Sequence, residues 1–211
     1  MRSKKIKLRI TVNQAIRLLI AFLFIINMSE GLFAPVFAVY VTNSLAGATL
    51  KTVGFAVAVF ALMKSLVQVP LARWLDRRAG EDDDFYAILL GSFIGIIHSL
   101  GLIFITQHWH LYVIAAINGI GSACLMAAYY AVFSHHIDKN SEGFEWSLMS
   151  VWGLTLSTAL GGAAGGVLAD TFGFRITFFL AALFYLAAIG LLIMLYPQLK
   201  SFRKKPFLSL S

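Results

Sequence analysis

Phe174–Tyr196 reads FRITFFLAALFYLAAIGLLIMLY, and beyond Arg175 it holds no charged side chain. As an α-helix rising about 1.5 Å per residue, the block reaches through the roughly 30 Å of hydrocarbon in a bilayer. A barrel strand would be about half as long and would alternate apolar with polar side chains, which this block does not do. Moving back along the chain, five further blocks pass the same test: Leu18–Val41, Val53–Trp74, Tyr86–Thr106, Leu111–Ser134 and Trp146–Ala169.

Between the blocks stand short turn-forming linkers: Thr42-Asn43-Ser44, Arg77-Arg78-Ala79-Gly80, Gln107-His108, Asp138-Lys139-Asn140-Ser141 and Asp170-Thr171-Phe172-Gly173. The composition agrees, with 59% hydrophobic residues, 13% charged residues and a mean hydropathy of +0.81, values that exclude a water-soluble globular domain. The expected fold is therefore all-α, a polytopic membrane protein whose six transmembrane helices form one domain over residues 1–211. The basic start followed by an apolar run has the outline of a secretory signal ending at Ala46-Gly47-Ala48. That run is too long for a signal core, however, and further spans follow it.

Lys and Arg fall almost entirely on one side of the expected spans. Arg2, Lys4, Lys5, Lys7, Arg9, Arg17, Arg73, Arg77, Arg78, Lys139, Lys200, Arg203, Lys204 and Lys205 share it, while the other side receives Lys51 and Arg175. Retained loops carry the positive excess, so both termini are expected in the cytoplasm, with the chain in the plasma (inner) membrane. The net charge of +7 sits mostly in tails 1–11 and 198–211 beside membrane spans, which points to anionic lipid headgroups and not to nucleic acid. Trp74, Trp146, Tyr129, Tyr130 and Tyr196 near one set of ends and Tyr40, Trp109 and Tyr112 near the other fit aromatic belts. The single Cys124 excludes an internal disulfide.

A weak internal repeat links the two halves of the chain. Ala72-Arg73-Trp74-Leu75-Asp76-Arg77-Arg78-Ala79-Gly80 closes the second block, and Gly166-Val167-Leu168-Ala169-Asp170-Thr171-Phe172-Gly173-Phe174-Arg175 closes the fifth. An odd number of helices separates the copies, which puts them on opposite membrane faces, as two inverted three-helix repeats require (about 12–106 and about 111–197). Asp followed by Gly is also ordinary turn chemistry, so two unrelated tight turns would give the same pattern.

The first of these segments resembles the Gly-x-x-x-Asp-Arg-x-Gly-x-Arg-Arg loop of the major facilitator superfamily. Asp76 and Arg77 match it; Ala72 and Ala79 replace its glycines, Gly80 comes one place late, and Glu81-Asp82-Asp83-Asp84 replaces the basic end. The second segment resembles the family's Gly-Gly-x-Leu-Ala-Asp-x-Phe-Gly-Trp-Arg connection, with Phe174 in place of Trp. Gly161 to Gly166 is similar to the Gly-Pro-x-x-Gly-Gly of drug/proton antiporters, but Gly162 replaces the Pro and drug export is not implied. The resemblance implies a half-size secondary transporter moving a small solute by alternating access, with Asp76, Arg77, Asp170, Gly173 and Arg175 as gating-loop residues. Family members usually have two six-helix halves, so it also implies a facing half, either a second copy in a homodimer or a separately encoded unit.

Ionisable groups at membrane depth are costly and point to function. Glu30 and Lys64 both lie about 17 Å from the outer ends of their expected helices, so they should meet at one depth. As an ion pair they would fix the register of two neighbouring helices; alternatively, Glu30 would be a proton site whose attraction to Lys64 switches with its charge. Asn27 and Gln68 share their helical faces, and Asn118 and Ser122 on the fourth block, with Ser150, Thr155, Ser157 and Thr158 on the fifth, extend a polar path. Ser and Thr also bond their own helix backbone, which would leave no such path.

His98 is expected as an interhelical hydrogen-bonding group or a proton relay. The pairs Gly161/Gly165 and Gly162/Gly166 are expected to let helices approach closely, and the sixth block, polar only at Thr177 and Tyr185 beyond Arg175, to face lipid. His108, His110, His135 and His136 stand near span ends as interfacial residues; no spacing forms a metal site, and no cofactor is implied. An intramembrane protease would need a Ser–His pair such as Ser122 and His98, but Gly121-Ser122-Ala123-Cys124 lacks the glycine expected after the serine. A non-transporting accessory subunit or a fragment of a larger transporter would share every apolar feature noted above.

Overall fold

The computed structural model describes residues 12–78 and 80–201; the basic residues 1–11, Ala79 of the second-to-third loop and 202–211 of the second basic tail lie outside the described residues. Six helical segments are long and apolar enough to cross a membrane, and no strand occurs among the described residues. The helices are α1 (Gln14–Phe33), α2 (Phe37–Ser44), α3 (Leu50–Asp76), α4 (Asp82–Phe104), α5 (His108–His136), α6 (Glu142–Leu148), α7 (Ser157–Phe172) and α8 (Phe174–Ser201).

Two crossings are less regular than an uninterrupted apolar block suggests. The expected span Leu18–Val41 is broken at Ala34-Pro35-Val36, so that α1 stops and α2 restarts. Pro35 has no amide hydrogen, and its ring would clash with the carbonyl four residues earlier. The fifth crossing runs through α6, a π-helical segment at Met149–Leu156, and α7. There the Thr155 hydroxyl donates to the Ser150 carbonyl at 3.1 Å, following the wider turn. A π segment leaves no mark in hydropathy, and the sequence reading missed it.

The helices pack in two matched sets. α1 packs against α8 and the fifth crossing; α5 packs against α4 and α3; α4 and α8 pack against each other. Exchanging the first three crossings for the last three maps these contacts onto one another, which is the two-fold relation of inverted repeats. Close approach is made where side chains vanish. A Cβ on Gly31 would come within 3.0 Å of the Gly161 Cα, and one on Gly165 would strike the Leu32 carbonyl. In the other set, a Cβ on Gly119 would meet the Phe60 carbonyl at 2.5 Å, and one on Gly91 the Gly121 carbonyl at 2.5 Å. Gly162 and Gly166 face open space, so of the two glycine pairs only Gly161/Gly165 carries a helix contact.

Two expectations fail on helix placement. α1 and α3 belong to consecutive crossings but do not pack along their length: α3 packs against α5, which also touches α1, and the first crossing meets α3 mainly through the short α2. The sixth crossing does not simply face lipid: Phe178, Ala181, Tyr185, Ala188 and Leu192 of α8 are buried against α1 and α4. Apolar residues satisfy a protein neighbour as well as a lipid tail, so composition alone could not separate the two.

Two apolar clusters fill the bundle. One, including Leu19, Phe22, Ile88, Tyr129 and Leu192, lies toward the end where α1 begins. The other, including Tyr40, Leu102, Leu111 and Phe178, lies toward the opposite end. The polar residues of the candidate site occupy the layer between them.

Candidate functional site

Two cavities lie end to end in that middle layer. The first, of about 230 Å³, is lined by Asn27 and Glu30 of α1, Lys64 of α3, Asn118, Ser122 and Tyr130 of α5, Leu154 of the π segment and Tyr185 of α8. The second, of about 300 Å³, is lined by Phe33, Phe37, Ala56, Phe60, His98 and Ala115, and again by Glu30 and Asn118. Glu30 and Asn118 therefore stand at the boundary between a polar chamber and an aromatic one.

The expected Glu30–Lys64 ion pair does not form. Glu30 Oε1 instead accepts from the Tyr185 hydroxyl at 3.0 Å, and the Lys64 ammonium lies 5.8 Å from the Phe60 ring centroid. The reason is the helix placement: α3 reaches the cavity from across α5, so the two charges face one chamber without touching. Each nevertheless avoids plain hydrocarbon, Glu30 through a donated hydrogen bond and Lys64 over an aromatic face.

The other predicted polar residues divide. Asn27 lines the polar cavity while its amide donates to the Leu23 carbonyl at 3.0 Å. Asn118 and Ser122 line it with no protein partner for their side chains among the described residues. Gln68 is partly buried but is not in the lining, so the expected second polar face is reduced to Lys64. The fifth-crossing hydroxyls do not build a path: Thr155 bonds Ser150 and Ser157 bonds the Gly153 carbonyl at 2.7 Å, each within its own helix. His98 is buried, packs edge-on against Phe33 with centroids 5.3 Å apart, and its Nδ1 has no hydrogen-bond partner among the described residues. It thus makes an aromatic contact between helices in place of the expected hydrogen bond. His98 and Ser122 line different cavities and share no hydrogen bond, so the nucleophile–base geometry of a protease is not formed.

Tyr130, Leu154 and Tyr185 also line the polar cavity, although the sequence places Tyr130 in an aromatic belt and Tyr185 on a lipid-facing helix and gives Leu154 no role. Tyr185 stands in the most apolar block, where its spacing relative to Glu30 on a distant helix leaves no local signal.

The loop motifs sit at the bundle ends. Asp76 and Arg77 are exposed at the end of α3, and Asp170 and Arg175 are exposed around the α7–α8 turn. Gly173 has φ +82°, and its amide donates to the Ala169 carbonyl at 3.1 Å; only glycine takes that conformation without strain, which explains its place in the turn. The acidic run that replaces the basic end of the first motif has its own partners. Glu81 Oε1 lies 3.3 Å from His135 Nδ1 and 3.6 Å from His136 Nδ1, and Asp82 accepts from the Tyr196 hydroxyl at 3.2 Å. Asp83 pairs with Arg78 at 3.3 Å, while the Arg78 guanidinium covers the Trp74 ring at 4.0 Å. These contacts tie the second-to-third loop to the ends of α5 and α8.

Six crossings in two inverted sets, enclosing ionisable and amide groups at mid-depth, define a multi-pass membrane protein with the architecture of a secondary-transporter half. The sequence model of the Major Facilitator Superfamily matches residues 19–208, and the chain belongs to that family of membrane transporters. No curated protein matches it.

Proposed function

We propose that the chain carries a small solute across the plasma membrane by alternating access, as one half of a two-part secondary transporter with both termini in the cytoplasm. The observation that carries this reading is the placement of Glu30, Lys64 and Asn118 in one cavity at the middle of the bundle. Ionisable groups at that depth are costly, and a solute path gives them a use. Glu30 is the candidate proton site, since its carboxylate faces both cavities and can exchange its Tyr185 bond for another.

The facing half is a second copy of this chain in the same orientation. Only 6% of the apolar stretch of α3 and 22% of that of the fifth crossing is buried, against at least 39% in each of the other four. These two are equivalent under the exchange of repeats, so one symmetric partner would cover both. Lys64 lies on the more exposed of them, where protein or water is a better neighbour than lipid tails.

Reconstituted protein tests the reading. Solute uptake driven by a proton gradient in liposomes, lost in Glu30→Gln, together with a dimeric mass in native membranes, is the expected result. A monomeric, well-folded and transport-inactive protein favours the accessory-subunit reading instead. Labelling of single cysteines at Lys51, Gln107 and Arg175 from outside, and at Gly80 and Asn140 only from inside, is expected for the orientation; one clear reversal removes it.

A further inference from the structure

We propose that the solute is a small zwitterion with an apolar side chain, in chemistry a hydrophobic α-amino acid, held by Glu30 and Lys64 at its charged end and by the aromatic cavity along its side chain. The proposal rests on the transport reading above for what happens to the solute, and on the geometry of the two cavities for its identity.

The polar cavity holds one carboxylate and one ammonium that face the same space without pairing. Tyr185 occupies Glu30 Oε1, and among the described residues no donor holds Oε2. Among the described residues Lys64 has only its ring contact, and the Asn118 and Ser122 side chains have no hydrogen-bond partner. Opposite charges brought out of water and kept apart cost free energy that a ligand bearing the complementary pair recovers twice. A simple cation would satisfy Glu30 and be repelled by Lys64; a simple anion would do the reverse; a neutral solute would leave both charges unpaired. A zwitterion satisfies both through charge-assisted hydrogen bonds.

The adjoining cavity supplies the rest of the outline. Glu30 and Asn118 line both chambers, so a molecule anchored at that boundary can extend into the space between Phe33, Phe37 and Phe60. That space is walled by rings and alanines, which favour an aromatic or branched aliphatic side chain over a polar one.

The purified full chain is titrated with phenylalanine, its cationic amide, and the anion 3-phenylpropionate, reading the midpoint of thermal unfolding. Phenylalanine is expected to bind about tenfold or more tightly than either analogue, and by a similar factor more tightly than glycine, which lacks the side chain. Lys64→Gln should lower phenylalanine to the level of its amide, and Glu30→Gln to that of phenylpropionate. The wild-type comparison needs no variant to fold. An analogue that binds as tightly as phenylalanine, or no shift with phenylalanine or leucine at millimolar concentration, overturns the proposal. Liposome uptake of the same three compounds separates it from the transport reading. Accumulation of an ion but not of phenylalanine sinks the substrate class and leaves transport standing. Charge-dependent binding of phenylalanine without accumulation supports the site and sinks transport.

Discussion

α1 and α5 hold equivalent places in the two repeats, yet one carries Glu30 toward the cavity and the other Asn118. Their packing is alike. α1 meets the fifth crossing through Gly31, Gly161 and Gly165, and α5 meets α3 through Gly119 and α4 through the Gly91–Gly121 contact. Their chemistry differs, because the ionisable groups of the middle layer, Glu30, Lys64 and His98, all come from the first three crossings, and the last three add only neutral polar side chains. Helix approach depends on missing side chains and shape, whereas the site depends on charge, so the two repeats can share the former and diverge in the latter.

The widest test of that comparison is to fill the shared frame. Gly165→Leu drives a side chain into the backbone carbonyl of Leu32, which cannot rotate aside, while Gly166→Leu enters open space. The first is expected to cost about 3 kcal/mol or more and to abolish a monodisperse peak in detergent chromatography, the second to change the melting point little. Gly119→Leu, against the Phe60 carbonyl, should reproduce the larger loss in the other repeat. If Gly165→Leu behaves like Gly166→Leu, the frame is wrong.

A double-mutant cycle sharpens the chemical half of the comparison. Glu30→Gln with Tyr185→Phe removes a direct hydrogen bond and should show a coupling of about 1–2 kcal/mol in thermal stability. Glu30→Gln with Lys64→Met should show less, since those two side chains do not touch. A larger coupling to Lys64 than to Tyr185 would restore the direct ion pair.

The smallest effects are expected in the loop that most separates the repeats. Glu81 is only 7% exposed and faces two histidines, so Glu81→Gln should lower stability by about 1 kcal/mol. The Arg78–Asp83 pair is 51% and 38% exposed, and Asp83→Asn should change it by less than about 0.5 kcal/mol. Equal losses would mean that the acidic run acts as one diffuse charge and not through named partners.

Much of this architecture is legible in the chain. The five boundaries between crossings follow from where apolar blocks stop, and Glu30, Lys64, Asn27 and Asn118 declare themselves because ionisable and amide groups are rare at membrane depth. Gln68 fails as a cavity residue because helical spacing gives a shared face but not the helix that face meets. Tyr185 stands out in the sequence only as a polar group on a helix expected to face lipid, because one hydroxyl in an apolar block becomes a site residue only when a carboxylate stands opposite.

By itself, then, the sequence determined that this protein crosses a membrane with six helices, which belong to the major facilitator family, and which side chains are too costly to leave in lipid. Those are properties of single segments measured against a solvent. Only the tertiary structure decided that α1 meets α8 and the fifth crossing instead of α3, that Glu30 accepts from Tyr185 and stands apart from Lys64, and that a polar and an aromatic cavity share one wall. In hydrocarbon one apolar helix face is as good a neighbour as another, so which faces meet is fixed by the small residues that let backbones touch.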